Sequence, residues 1–410
     1  MRSRLIFPIP VLLLLLAAAP VLAEGWTPSL APQPNLPPTF MAVDMGRQRA
    51  VLVRNQDGSL KKFKDMACTT GMRNGGKLLE GDRKTPEGVY FLEGRVSSGL
   101  DFDSFGNTAY PLNYPNPADR VLGKGGDGIM IHGRGRSFGP RQTLGCVVLE
   151  NDDVDQLDRH VRIHATPVVI AEGIQWKSES KVGPPPDIIM ATRGWAKARE
   201  RRENAFFEIY DPERFEKSSG MSFAQFRQKT LREFAQYEWI DIRMQDIQVL
   251  EGPGYVVSAF AQRTMPGGEE GWRRLYWMRK VELWKIVGEE WVPQRLAGRF
   301  DYAPLVDKEI RSRLDECARA WDAGDVKALL RAYDRTARRG NDEGLATIEK
   351  ALLVEMAGNA ENPYRGQPAV RITKQGIEAS FPAKPGHRML FLPGNFDTWV
   401  IVRESAAASS

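Results

Sequence analysis

The chain has 410 residues, 42% hydrophobic and 27% charged, which is the composition of a soluble globular protein and too long for a single ordinary core. A net charge of +5 is mildly basic at this length, and no basic stripe interleaved with aromatics points to nucleic acid. Three cysteines cannot all pair within one chain, so at least one stays free or pairs outside it.

Arg2 and Arg4 precede the apolar run Leu5–Ala19, and Val21 and Ala23 offer small residues to a signal peptidase. Residues 1–23 therefore read as an export signal rather than a retained anchor, with the mature chain in the periplasm or cell envelope. Their removal takes the net charge from +5 to +3, which suits a polyanionic envelope. Residues 24–38, rich in Pro, read as an extended linker. From Phe40 the texture is β: Met41–Asp44 and Ala50–Arg54 are short apolar runs, and Asn55-Gln-Asp-Gly58 is a turn before Leu60–Ala67. Val89-Tyr-Phe-Leu92 is a further strand. Residues 97–128 read mostly as loop, and so long a loop suits a lid or a substrate-binding wall.

Ile129–Ile131 is a buried strand that ends on His132. Gly133 to Arg141 reads as loop, and Thr143-Leu-Gly145-Cys146 opens another apolar run. Asn151–Asp158 has the marks of a short helix capped by Asn151 or Asp152, with Val154, Leu157 and Val161 facing inward. Thr166–Ala171 closes the first unit, at residues 39–173.

Residues 174–186, with Pro184-Pro185-Pro186, read as a second linker. A helix is expected from Asp187 to Tyr210. Another follows Ser222, where Ser222 and Gln225 form a capping box and Met221 and Phe226 a hydrophobic staple. Alternating strands follow over 240–287, completing an α+β unit at 187–300. The last unit, 303–405, repeats it with divergence. Ala205–Asp211 matches Ala328–Asp334, and Glu282–Glu289 matches Asp397–Glu404, in the same order. The aromatics Trp195, Phe206, Phe207, Trp284 and Trp291 read as core, and no acid–histidine constellation is apparent in these units.

A thiol is mostly protonated at neutral pH, and an imidazole nearby can take its proton and release a nucleophile for acyl chemistry. His132 and Cys146 are the candidates, with Gly145 and Cys146 N–H groups as oxyanion donors. Zinc is a poor alternative, because no CxxC supplies further ligands and His160 and His164 sit on a solvated helix end. No metal and no cofactor is expected.

Ile131-His-Gly133 followed by Thr143-Leu-Gly-Cys146 resembles the signature of the L,D-transpeptidases, cysteine enzymes of bacterial peptidoglycan. Gly81-Asp-Arg-Lys-Thr-Pro-Glu-Gly-Val-Tyr-Phe91 and Tyr110-Pro-Leu-Asn-Tyr-Pro-Asn-Pro-Ala-Asp-Arg120 also resemble this family, in its murein and lipoprotein-linkage branch. The resemblance implies a mostly-β, sandwich-like domain in which Cys146 is the nucleophile, His132 its base and the Gly133 carbonyl the third member. Two positions depart from it: Leu144 stands where many members have His, and Val148 where many have Arg. The second removes an expected carboxylate-binding charge, for which Arg134, Arg136 or Arg141 could substitute. Thr143 and Tyr114 complete the candidate substrate contacts. The implied substrates are peptidoglycan stem peptides, with an envelope lipoprotein as a further acceptor. Cross-linking by an amine and hydrolysis by water both remain open, as does a non-catalytic envelope scaffold. The two C-terminal units resemble the nuclear transport factor 2-like (SnoaL-like) cone and are expected to bind partners or a second copy.

Overall fold

The computed structural model describes residues 25–178, 186–395 and 398–405. The expected signal peptide and the linker residues 179–185 lie outside the described residues. No helix among the described residues is long and apolar enough to cross a membrane.

The first unit contains β1 (Ser29–Leu30), β2 (Thr39–Asp44), β3 (Arg49–Gln56), β4 (Ser59–Thr69), β5 (Gly88–Phe91), β6 (Ala109–Pro111), β7 (Met130–His132), β8 (Val147–Leu149), β9 (Pro167–Ala171) and β10 (Gln175–Trp176). Short helices α1 (Phe102–Phe105), α2 (Pro117–Val121) and α3 (Asn151–Asp155) join them. Eight strands form one sheet in the order β5-β9-β2-β3-β4-β8-β7-β6. Its central runs are apolar at consecutive positions because both faces are covered. Met41, Val43, Leu52, Tyr90 and Ile170 point into a core that also holds Ile131, Val147 and Leu149. Phe40, Ala42, Val53, Val89, Phe91 and Val169 point the other way, into a second core.

That second core belongs equally to the next unit. α4 (Pro186–Arg201), α5 (Ala205–Glu208), α6 (Pro212–Ser219) and α7 (Phe223–Ala235) lead into the antiparallel meander β11 (Asp241–Gly252), β12 (Tyr255–Met265), β13 (Glu269–Lys280) and β14 (Leu283–Pro293). Val257, Ala259, Tyr276, Met278 and Val287 cover the outer face of the first unit's sheet. The Ser222–Gln225 capping box forms in both directions at α7. The single helix expected over 187–210 is instead two, because Arg202 adopts φ +59 and breaks it. The last of the strands expected over 240–287, at 275–287, is a hairpin that turns at Val281, φ +56.

Polar contacts lock the two units together. The Arg274 side chain, 1% exposed, meets Glu93 at 2.7 Å and Glu290 at 2.9 Å. It also donates to the His164 carbonyl at 3.0 Å and lies over the Phe91 ring. Val89 N–H donates to Tyr255 Oη at 2.8 Å, and Asn113 Nδ2 donates to Tyr276 Oη at 3.0 Å. α2 packs on α6 and β14, with Arg120 Nε donating to the Ser218 carbonyl. The 97–128 segment thus contains α1, β6 and α2, and its second half is a clasp between units rather than a free lid. The expected linker at 24–38 is also structured. β1 pairs in parallel with β10, and Asn35 O accepts Val249 N–H at 2.9 Å, so this stretch straps the units together.

The last unit holds α8 (Tyr302–Asp322), α9 (Val326–Leu330), β15 (Tyr333–Arg339), β16 (Asp342–Glu343), α10 (Leu345–Ala357), β17 (Ala369–Ile372), β18 (Ile377–Ser380), β19 (Arg388–Pro393) and β20 (Trp399–Ser405). Its sheet runs β16-β15-β20-β19-β18-β17. The two sequence matches fall on equivalent features of the second and third units. Tyr210 bridges Ile286 in parallel, and Tyr333 pairs with Ile401 in parallel. Tyr210 Oη donates to Glu289 at 2.9 Å, and Tyr333 Oη donates to Glu404. The third unit does contain an acid–histidine pair: His387 Nε2 lies 3.1 Å from Glu404 Oε1, with Arg339 Nε 3.0 Å from Glu404 Oε2. His387 stacks on Phe381, and all three polar side chains are buried, so this is an internal network of the core.

Candidate active site

Strands β7 and β8 are parallel neighbours, with Ile131 opposite Val147 and His132 opposite Val148. Side chains alternate along each strand, so Ile131, Val147 and Leu149 share the core face. His132 and Cys146 fall together on the other face, one at the end of β7 and the other at the entry to β8. Fourteen residues of sequence separation thereby become a diagonal pair across one strand gap.

His132 is 4% exposed, and its Nδ1 lies 2.7 Å from the Gly133 carbonyl oxygen. A carbonyl only accepts, so Nδ1 carries the proton and Nε2 keeps its lone pair. The Phe105 ring packs 5.0 Å from the imidazole and fixes its plane. Asn151 accepts from Arg134 N–H at 3.1 Å and donates to the Arg134 carbonyl at 2.9 Å, bracing the loop that carries the Gly133 carbonyl. This engagement replaces the expected helix cap: Glu150 occupies the N-cap of α3 without a side-chain bond.

Cys146 is half-buried, and its Sγ lies 3.5 Å from the Gly128 carbonyl. Burial pushes the thiol pKa up, while the Met130 backbone N–H and the Lys77 ammonium pull it part of the way back. Burial moves His132 the other way, below the ordinary imidazole value; the Gly133 carbonyl opposes that shift and the Arg134 charge adds to it. At rest both groups are therefore neutral, a thiol and an imidazole on one face of the sheet. Chemically, a neutral pair of this kind reacts by general-base proton transfer during attack rather than as a preformed ion pair. Thiol reactivity should fall as pH drops through the depressed His132 pKa, where the base becomes protonated; iodoacetamide labelling rates against pH would read this limb.

Lys77 carries no sequence signal of its own, yet it is buried. Its Nζ lies 2.9 Å from both the Leu79 carbonyl and Asp82 Oδ1. Burial disfavours the Asp82 charge, but hydrogen bonds from Lys77, Leu78, Leu79 and Lys84 overcome it and hold the carboxyl at about 2. Lys77→Met removes a cation that lowers the Cys146 thiol pKa. The midpoint of the high-pH limb of Cys146 alkylation, where the thiol ionises unaided, is expected to move upward by a few tenths of a unit to about one unit. An unchanged midpoint would disconnect the lysine from the thiol.

Gly145 has φ +144, and a Cβ built there would lie 2.9 Å from the Lys84 carbonyl oxygen. Both facts demand glycine. Its N–H donates to Thr143 Oγ1 at 3.1 Å, and Thr143 Oγ1 in turn donates to the Cys146 carbonyl at 2.7 Å. The Gly145 donor expected for an oxyanion hole is thus engaged internally in the resting site. Thr143, 5% exposed, shapes the turn rather than facing a substrate. Gly145→Ala should destabilise the protein by about 1–3 kcal/mol through backbone strain and slow Cys146 labelling, as read by thermal melting and alkylation kinetics.

The other candidates divide. Arg141 Nη2 is paired with Glu172 Oε1 at 2.7 Å, so its charge is already neutralised. Tyr114 is a core residue, its hydroxyl donating to the Gly125 carbonyl at 2.9 Å and its ring edge-on to Tyr90. Arg134, next but one to His132 in the loop, stays partly exposed, with a buried Nε that has no hydrogen-bond partner. Val148 is fully buried, while Leu144 is 69% exposed. Among the described residues no group of three or more His, Cys, Asp or Glu could hold a metal. All three cysteines are free, and burial pushes the Cys68 and Cys317 thiols up to about 12.

No curated protein matches the chain. Among solved structures, Bd1075 from Bdellovibrio bacteriovorus shares 23% identity over 65% of this chain and 96% of its own, with a TM-score of 0.50. The helical cell shape determining protein Pgp2 from Campylobacter jejuni also shares 23% identity, over 62% of this chain and 95% of its own, with a TM-score of 0.45. At such identities the first of these likenesses speaks for the fold alone. Residues 38–170 match the family model described as YkuD, the L,D-transpeptidase catalytic domain, and the unit that holds His132 and Cys146 is a domain of that family.

Proposed function

We propose that this chain is an exported cysteine L,D-transpeptidase of the cell envelope, acting on peptidoglycan stem peptides through a Cys146 thioester. The observation that carries this reading is the 2.7 Å contact from His132 Nδ1 to the Gly133 carbonyl, on the sheet face shared with Cys146. It leaves Nε2 basic towards the thiol. As Sγ attacks the carbonyl carbon of the L,D bond, Nε2 takes the thiol proton. Collapse of the tetrahedral adduct breaks the C–N bond, and the imidazolium returns that proton to the departing D-alanine amine. An acceptor amine on another stem or on an envelope lipoprotein then gives its proton to His132 and attacks the thioester, releasing the thiol.

Exposed Leu144 and buried Val148 supply no charge from those two positions to hold a substrate carboxylate beside the nucleophile. This favours a second reading in which water resolves the same acyl-enzyme, making the protein an L,D-carboxypeptidase. The C-terminal units, read as nuclear transport factor 2-like cones, would then position the catalytic unit on the wall, on a partner or against a second copy.

Mature protein incubated with stem tetrapeptides, with and without an amine acceptor, separates these readings by mass spectrometry. Cross-linked or exchanged product supports transfer, and tripeptide formed equally without acceptor supports hydrolysis. No turnover in either arm overturns both.

A further inference from the structure

Gly25 is wedged between two acidic side chains at the start of the strap that joins the first two units. A Cβ built there would lie 2.7 Å from Glu87 Oε1 and would collide with the stem of Glu172, so the position requires glycine. Trp26 pins the chain beside it. The Trp26 N–H donates to Glu87 Oε2 at 3.2 Å, and the Trp26 carbonyl accepts the Glu172 N–H at 3.0 Å.

Both carboxylates are left incomplete. Glu87 is 8% exposed, and its Oε1 is buried without a hydrogen-bond partner; Glu172 Oε2 is likewise buried without one. Their other oxygens are engaged, Glu87 Oε2 by Trp26 and Glu172 Oε1 by Arg141 at 2.7 Å. A buried acceptor that meets no donor keeps its desolvation cost, so such oxygens are normally satisfied. Together with Gly25, the two glutamates line one cavity of about 620 Å3. The lysines of that cavity do not supply the donors. Lys77 is paired with Asp82 at 2.9 Å and Lys124 with Asp119 at 2.8 Å, while Lys84 acts on Glu87 only through its charge.

The pair therefore lacks a donor rather than net charge, and the chain has one to give. Once residues 1–23 are removed, the first residue is Glu24, whose Cα is one step of about 3.8 Å from that of Gly25 and whose α-amine is mostly protonated at neutral pH. An ammonium puts several N–H donors on one atom, which suits two acceptors that flank Gly25. As first residue Glu24 also brings a carboxylate, the complement of Lys84. We propose that Glu87 and Glu172 receive the α-ammonium of the mature chain, so that removal of the export signal locks the free end of the strap onto the catalytic unit. In the precursor the same nitrogen is an amide, with one N–H and no charge, and cannot serve both carboxylates.

The proposal rests on reading residues 1–23 as a removable signal, so N-terminal sequencing of the exported protein comes first. Glu24 is the expected first residue, and any other overturns the proposal. The mature chain is then compared with the same chain extended by two alanines ahead of Glu24. The α-amine of the Glu24 form should acetylate at neutral pH about tenfold more slowly than that of the extended form, and the Glu24 form should melt several degrees higher. In the double variant Glu87→Gln with Glu172→Gln, which keeps the side-chain sizes, both differences should be lost. Each comparison sets two N-terminal forms against each other in one background, so a general loss of stability in the variant cancels. Equal amine reactivity or equal melting of the two wild-type forms overturns the proposal, and so do differences that persist in the double variant. Neither measurement involves turnover, so the outcome is separate from the fate of the cysteine assignment.

Discussion

Cys146→Ala is expected to abolish acyl-enzyme formation and lower turnover of a stem tetrapeptide by roughly a million-fold, the scale of removing a nucleophile from a working triad. The side chain is small and half-buried, so the melting temperature should change little, and the loss can be assigned to chemistry. Intact-mass spectrometry of trapped enzyme reads the adduct directly. His132→Ala should come close to the same loss, because the neutral thiol, with its pKa pushed up by burial, cannot ionise unaided at neutral pH. The two losses should not add, since each residue is useless to the reaction without the other. Turnover surviving in Cys146→Ala would remove the thiol from the mechanism, and turnover surviving only in His132→Ala would mean that the thiolate forms by another route.

Arg274→Ala should destabilise the protein by about 3–5 kcal/mol, the range for removing one partner of a buried charge network. Arg274 is 1% exposed and joins Glu93 of the first unit to Glu290 of its own. Its loss leaves two carboxylates facing each other at the interface with no cation between them. Denaturant titration would read the effect, and Glu93→Gln in the same background should restore part of it by removing one of the unpaired charges. A change below about 1 kcal/mol would show that the two units are held by their apolar contact alone.

The candidate pair was legible in sequence because its logic is local. An apolar run ending in His132 and another beginning after Cys146 predict two strand ends, and parallel pairing converts them into one site. The Ser222–Gln225 cap was legible for the same reason, since its donors and acceptors lie within three residues. What was not legible arrives from far away in the chain. Asn151, Phe105 and Lys77 reach the pair through tertiary packing, and nothing in their neighbours marks them. From sequence the loop at 97–128 reads as a lid or a substrate-binding wall because its partners, Ser218, Tyr255, Tyr276 and Glu290, lie about 100 or more positions downstream. His387 and Glu404 were missed likewise: seventeen positions and a sheet register separate them, and neither carries a motif. Arg141 and Tyr114 are the reverse case, residues of plausible chemistry whose polar atoms the fold already engages.

The core shared by the sheet of β2, β3, β5 and β9 and the meander of β11–β14 has a thermodynamic consequence. A family domain at 38–170 suggests a module that could be excised, but its outer face carries Phe40, Val53, Val89 and Phe91 against residues from the second unit. Separated, that face would present a wide apolar sheet surface to water, the kind of surface that drives self-association. The first two units should therefore melt in a single cooperative transition, with neither acting as a folding unit in its own right. The boundary of the catalytic module in sequence is not the boundary of the object that folds.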